Sequence, residues 1–170
     1  MINNTRRQLT LFVEEKDAEN IERVRKEFNL KQSELIKSHV TLCREDEIEN
    51  LEQVIANLSD LTEIDISIDF GRITRFSNGK GVLLPAQGDN IEFHELRKKI
   101  LHGLTVNPRM HEPHITLMHP RNSTCTDDIF RQIKEISLPE KLKFKVISLI
   151  EQREGGAWNV LQKFYRADEI

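Results

Sequence analysis

No run of 18 consecutive apolar residues occurs in the 170 positions of this chain, so no segment of it reads as a membrane span. Its opening residues, Met1-Ile2-Asn3-Asn4-Thr5-Arg6-Arg7, lack the apolar core of a secretory signal. Cysteine is scarce too. Cys43 and Cys125 are the only two, which excludes a disulfide framework, and in the cytoplasmic setting expected of the chain both are reduced thiols. Without secretion, the Asn122-Ser123-Thr124 sequon is a glycosylation site on paper only. Excess positive charge is also missing, since 25 basic residues against 28 acidic ones leave a net charge of −3. Long nucleic acid is held by basic surfaces that release counterions, so this balance offers no general attraction to such a polyanion. What remains is ordinary globular composition, 38% hydrophobic and 31% charged. The length suffices to bury a core, as one domain or as two small lobes sharing a cleft.

Against this background two strings stand out. His39-Val40-Thr41-Leu42 and His114-Ile115-Thr116-Leu117 follow one pattern, 75 residues apart. Chance placement of 6 His and 9 Thr gives 6 × 9/170, or about 0.3 His-x-Thr triplets, before the flanking Val or Ile and the Leu are required. Each string sits in a short apolar stretch that reads as a strand. Strand side chains alternate faces, and residues i and i+2 share a face about 7 Å apart. His39 therefore shares a face with Thr41, while Val40 and Leu42 anchor the other face in a core; His114 and Thr116 repeat this against Ile115 and Leu117. An imidazole suits proton transfer near neutral pH, and a Thr hydroxyl donates to an anionic oxygen without adding charge. Two such pairs facing one cleft suit phosphodiester cleavage. One His removes a proton from the attacking water or hydroxyl, the other protonates the leaving oxygen, and the hydroxyls hold the non-bridging oxygens. That scheme needs no metal and no cofactor.

These residues resemble the 2H phosphoesterases, a superfamily that includes the RNA 2′-5′ ligase-like proteins and the cyclic phosphodiesterases and is defined by two His-x-Thr/Ser-x motifs on strands of two pseudo-symmetric lobes. His39 and Thr41 match the first motif, His114 and Thr116 the second, and Pro113 precedes the second His as it does in many members. The resemblance implies an α+β fold of two pseudo-symmetric lobes, each an antiparallel-type sheet with helices outside, around a central cleft. It implies His39, Thr41, His114 and Thr116 as the catalytic set, and a metal-independent phosphoesterase cleaving a cyclic or 2′-5′ phosphodiester of a small nucleotide or RNA terminus. Members often carry Arg five residues after the second His. This chain has His119 there, Arg44 at the same distance after the first His, and Arg121 two residues further on, so Arg44, His119 and Arg121 are the candidate substrate contacts. Two lobes around one cleft suffice as a monomer. The alternative is a non-catalytic RNA or nucleotide-binding protein on the same fold.

Along the chain, an order of elements occurs twice. Leu9, Leu11 and Val13 alternate as a strand, Ile21, Val24 and Phe28 form a helical stripe, and the first His-x-Thr strand spans about 38–43. Ile48, Leu51, Ile55 and Leu58 then mark a helix, Ile64 to Phe70 alternate as a strand, and Gly71 reads as a bulge or break. Asn78-Gly79 is a hairpin signal that divides a single domain, 1–170, into lobes of about 1–77 and 78–170. A strand over 81–86 follows, then a helix with a capping-box candidate, Asp89-x-x-Glu92, and the stripe Phe93, Leu96, Ile100. After the second motif, Thr126 with Asp127 and Asp128 caps a helix carrying Ile129, Ile133 and Ile136. A closing strand over 142–150 and, past Gly155-Gly156, a last one through Trp158 to Phe164 complete the chain.

The same residues admit other chemistries. His111, His114 and His119 crowd within nine positions as a metal set would, but His114 and His119 have opposite parity on a strand and Pro113 stiffens the approach. Cys43 shares parity with His39 and Thr41, so it is expected in the cleft wall, as Met118 is in the other half, without an acid or base partner that would make it a nucleophile. Lys80 could reach phosphate. Trp158, Tyr165 and Phe93 could stack a base or simply pack in the core, and His94 and His102 fall on the solvated face of a polar helix.

Overall fold

The computed structural model describes residues 4–104 and 108–165. In chain order the elements are β1 (Thr5–Phe12), α1 (Glu15–Phe28), α2 (Leu30–Leu35), β2 (His39–Cys43), a 3₁₀ turn at Glu45–Glu47, α3 (Leu51–Ser59), β3 (Ile66–Asp69), β4 (Thr74–Phe76), β5 (Gly81–Pro85), α4 (Ile91–Ile100), β6 (His114–Met118), α5 (Asp127–Lys134), β7 (Lys141–Phe144), β8 (Ile147–Arg153) and β9 (Trp158–Phe164). Seven strands form one antiparallel sheet in the order β4-β5-β6-β2-β1-β8-β9, and β3 pairs with β7 in a separate two-stranded sheet. The fold is α+β, with antiparallel sheets and helices, as expected.

The repeated order is visible in space. The series β1-α1-β2-α3-β3 and β5-α4-β6-α5-β7 place β1 beside β2 and β5 beside β6, bring β2 and β6 together at Val40 and Ile115, and pair β3 with β7. β2 and β6 share more than position. Each carries the same burial sequence, with the His and Thr half-buried and the residues between and after them buried. Each also has a register shift after its Thr, where Thr41 pairs with Thr10 but Cys43 with Leu9, and Thr116 pairs with Leu83 but Met118 with Val82. The inserted residue breaks parity. Cys43 and Met118 are consequently fully buried in the core and do not line the cleft, contrary to the simple alternation argument.

Several boundaries differ from the sequence expectations. The closing strand over 142–150 is two strands in different sheets: β7 alternates exposed and buried, whereas β8, flanked by β1 and β9, is buried at nearly every position. Because β8 and β9 join the β1 edge and β4 the β5 edge, strands cross between the two halves of the chain. The capping box at Asp89 does not form. Asn90 occupies the N-cap position of α4 in the left-handed region at φ 52 without a side-chain cap bond, and the Glu92 carboxylate accepts the Ser67 N–H at 3.1 Å instead. Thr126 does cap α5, its hydroxyl accepting the Ile129 N–H at 3.1 Å. Helix α2 and the 3₁₀ turn carried no clear sequence pattern.

Arg97, on the apolar stripe of α4, ties these pieces together. It is 1% exposed. Its guanidinium donates to the Leu42 carbonyl at 2.6 Å, to the Arg109 carbonyl at 3.0 Å and to both Glu47 oxygens at 3.1 and 2.6 Å. Burial pushes the Glu47 carboxyl up, but the Arg97 fork and the Arg44 N–H outweigh it and hold the group below the usual carboxylate range. Removing one partner of a buried pair leaves the other charge and its acceptors unpaired, so Arg97→Ala is expected to cost about 3–5 kcal/mol. Arg97→Lys should recover only part of this, because an ammonium cannot reproduce the fork; urea denaturation of the two variants against wild type checks both.

Candidate active site

The register at Val40 and Ile115 sets the geometry of the motif residues. With β2 and β6 antiparallel there, His39 comes opposite Thr116 and Thr41 opposite His114, all four on the face away from the buried Val40 and Ile115. The two His lie on a diagonal, with backbones about 7–8 Å apart, and the two Thr on the other. All four line one cavity of about 460 Å³.

The two imidazoles are held the same way. His39 Nδ1 is 2.7 Å from the Lys37 carbonyl and His114 Nδ1 is 3.1 Å from the Glu112 carbonyl, in each case two residues upstream. A carbonyl only accepts, so Nδ1 carries the hydrogen and Nε2 is left for the cavity. His39 also packs edge-on against Phe12, ring centroids 6.1 Å apart. Burial, with smaller contributions from the Arg25 and His114 charges, lowers its pKa to about 4 against the pull of the Lys37 carbonyl, so the ring is neutral at neutral pH. Neither the Thr41 nor the Thr116 hydroxyl has a hydrogen-bond partner among the described residues, which leaves both free to donate.

Arg44, His119 and Arg121 line the same cavity, so the structure gathers all seven candidate residues. Arg121 approaches both nitrogens of His119, its backbone N–H at 3.1 Å and its guanidinium at 3.0 Å. Burial, then the Arg121 and Arg6 charges, hold His119 below the ordinary histidine range. The turn they share is fixed by Asn29, buried at the junction of α1 and α2, whose side chain accepts the His119 N–H at 2.7 Å and donates to Asn122 at 2.8 Å. Lys80 and Tyr165 lie outside the cavity, Phe93 is core, and His94 is largely packed rather than solvated, with Phe93 at 5.6 Å.

Sequence reasoning missed Arg6, Gln8, Arg25 and the role of His111. Arg25 borders the cavity while its guanidinium bonds Glu22 and the Ile36 carbonyl. The available sign was a charge on an apolar helix stripe, four residues after Ile21, just as Arg97 falls four after Phe93. His111 is 6% exposed and donates Nε2–H to the Thr41 carbonyl at 2.9 Å, a structural duty in place of a metal-binding one. No grouping of three or more metal-ligating side chains occurs among the described residues. Burial lowers its pKa to about 4, with the Arg97, His114 and Arg44 charges adding to the effect.

The two histidines lowered to about 4 bear on stability. Between pH 6.5 and about 4 the unfolded chain takes up protons that the folded His39 and His111 refuse, so stability falls as pH drops through that window and is unaffected by them above it. The expected loss is about 1–3 kcal/mol per ring. Denaturant melts across the window measure it, and NMR titration of the His39 ring should give a midpoint near 4.

This architecture is found in solved structures. The chain superposes on E. coli LigT complexed with phosphate with a TM-score of 0.65 at 12% identity, covering 96% of this chain and 98% of that one. LigT complexed with NADP+ gives 0.66 at 13% identity over 95% and 96% of the two chains. The protein TT0787 of Thermus thermophilus gives 0.65 at 17% identity over 96% and 100%. No curated protein matches the chain at a significant level. Such identities speak for the fold alone, but the sequence model of the 2′-5′ RNA ligase superfamily matches residues 12–156, which carry both motifs, and on that match the chain belongs to this superfamily.

Proposed function

We propose that the protein is a metal-independent phosphoesterase that opens a cyclic phosphodiester, or cleaves a 2′-5′ one, at a nucleotide or RNA end. The observation that carries this reading is the duplicated device on β2 and β6. Two imidazoles, each held at Nδ1 by the carbonyl two residues upstream, face one cavity beside two unengaged hydroxyls. LigT, with the same fold, has been crystallised with phosphate, 3′-AMP, ATP and NADP+, which are phosphate or nucleotide ligands.

In this reading the phosphorus sits at the centre of the four side chains. The neutral His39 takes a proton through Nε2 from the attacking water, and His114 in its protonated form delivers one to the leaving oxygen. The bond to the attacking oxygen forms as the bond to the leaving oxygen breaks, and the two protons balance. Thr41 and Thr116 donate to the non-bridging oxygens, where negative charge builds, and the guanidiniums of Arg44 and Arg121 add positive potential at the rim. Lewis-acid assistance is not called on at any step.

The test is hydrolysis, in EDTA, of 2′,3′-cyclic nucleotides, of an oligonucleotide ending in a 2′,3′-cyclic phosphate, and of 2′-5′ linked dinucleotides. Wild type should turn over at least one of these, and His39→Ala and His114→Ala should each lose about 10²-fold or more in kcat, as loss of an acid or base does. Thr41→Val and Thr116→Val should each cost about 10-fold to 10³-fold. Turnover that survives either His substitution, or that vanishes on chelation, would sink the two-histidine mechanism.

A further inference from the structure

The two motif strands resemble each other up to the residue three places before each histidine. Ile36 stands there ahead of His39 and His111 ahead of His114, and both are 6% exposed and line the cleft. There the likeness ends, because an isoleucine has nothing to donate. His111 reaches across to the first motif strand and gives its Nε2–H to the Thr41 carbonyl at 2.9 Å. β2 and β6 share a single registered pair, Val40 with Ile115, whereas β1 with β2 and β5 with β6 run to four. Less backbone bonding fixes β2 against β6 than fixes either to its other neighbour, so a side-chain bond across that seam carries a larger share of their alignment.

The same imidazole meets the second motif through its ring. Its centroid is 6.1 Å from that of His114 in an edge-on contact at 65°, and Phe93 packs against it at 6.0 Å. His114 is thus located from two directions, by the Glu112 carbonyl at Nδ1 and by the His111 ring. Burial keeps His111 neutral at neutral pH, so it sets no charge beside His114. Its Nε2–H is committed to a carbonyl, which leaves that proton out of any exchange with substrate and separates His111 from the acid and base of the cleft.

We propose that His111 is a positioning residue of the reaction, holding the Thr41 hydroxyl of the first motif in place against the His114 imidazole of the second. It acts through these two groups rather than on the substrate. That role rests on the phosphoesterase reading, which supplies the parts played by Thr41 and His114. It also makes the cleft directional, since one motif of a pseudo-symmetric pair is braced in this way and Ile36 offers Thr116 no such bond.

Three substitutions in the full chain test it. His111→Phe keeps a ring against Phe93 and His114 but removes the donor, and His111→Gln restores an N–H at a similar reach. His111→Asn carries an amide too short for the Thr41 carbonyl, and stands in for His111→Phe should the aromatic variant not fold. On the phosphodiester that wild type hydrolyses, His111→Phe and His111→Asn should lose about 10-fold to 10²-fold in kcat with KM within about 2-fold, as a misplaced group does, and His111→Gln should recover most of the loss. The loss should shrink to about 2-fold in a Thr41→Val background and persist in full in Thr116→Val, because only coupled groups depart from additivity. Calorimetric titration with orthovanadate, which takes up the five-coordinate shape of phosphoryl transfer, reads the same geometry without turnover. Wild type and His111→Gln should bind it about tenfold or more tightly than His111→Asn, while inorganic phosphate separates them by no more than about 2-fold. Vanadate affinity that is equal in wild type and His111→Asn, or a loss in kcat equally large in both threonine backgrounds, would overturn the role. A chain whose vanadate affinity follows His111 but which hydrolyses no phosphodiester keeps the positioning residue and loses the proposed activity. One that hydrolyses phosphodiesters with a kcat indifferent to His111 keeps the activity and loses the positioning residue.

Discussion

The antiparallel contact of β2 with β6 at Val40 and Ile115 is the constraint on which the site depends. Both residues are fully buried, and strand alternation then leaves the imidazoles and hydroxyls no choice but the opposite face. A slip of one residue in either strand would bury a histidine and expose a valine or isoleucine, so the hydrophobic pattern enforces the chemical one. The bulges after Thr41 and Thr116 show where that face ends. Beyond each threonine two consecutive residues, Leu42 with Cys43 and Leu117 with Met118, are buried, and the strand changes from wall of the cleft to core.

Holding such a face still takes polar contacts from outside the two strands. The carbonyl of Leu42 is fixed by Arg97 from α4, the carbonyl of Thr41 by His111 from the segment before β6, and the N–H of His119 by Asn29 from the end of α1. Each contact spans 55 to 90 residues of sequence. A buried arginine is seldom a gain in stability over a well-packed apolar residue. Its value here lies in geometry, because one planar fork holds the end of β2, the Glu47 turn and the Arg109 backbone at once. Glu47 also draws the Arg109 guanidinium to 3.6 Å, which adds charge compensation at the solvent side.

The motif strands and the repeat of elements were legible because each leaves a local trace: period-two alternation around His39 and His114, helical stripes at Ile21 to Phe28 and Phe93 to Ile100, a cap at Thr126. The seven candidate site residues were legible for the same reason, lying on or just after those strands. What escaped was settled by partners distant in sequence. Whether Glu92 caps its own helix or serves Ser67 depends on β3, and whether Lys145-Val146 interrupts a strand depends on β1 and β9 competing for the residues that follow. The bulges were invisible to parity counting for a related reason, since an inserted residue has no mark of its own in an apolar run. Arg25 and Arg97 did leave a mark, a charge on an apolar stripe, and each proves to be a buried guanidinium bonded to a backbone carbonyl near the first motif.

Net charge and local charge point to different scales of recognition. The chain as a whole carries −3, yet among the described residues Arg6, Arg25, Arg44 and Arg121 border a cavity to which only Glu45 and Asp46 bring acid. At physiological salt a charge is felt over about 8 Å, so a phosphate inside the cavity responds to its walls, while a long polyanion lying across the protein meets the wider acidic surface. Part of the positive potential is already committed, because Arg6 is bonded to Glu45 and Arg25 to Glu22. Arg44 and Arg121, beside His119, stand at the rim as the cations best placed to answer an incoming anion, and His119 itself is held toward its neutral form. An acidic body around a basic cavity matches the single phosphodiester proposed above better than the repeated phosphates of a continuous strand.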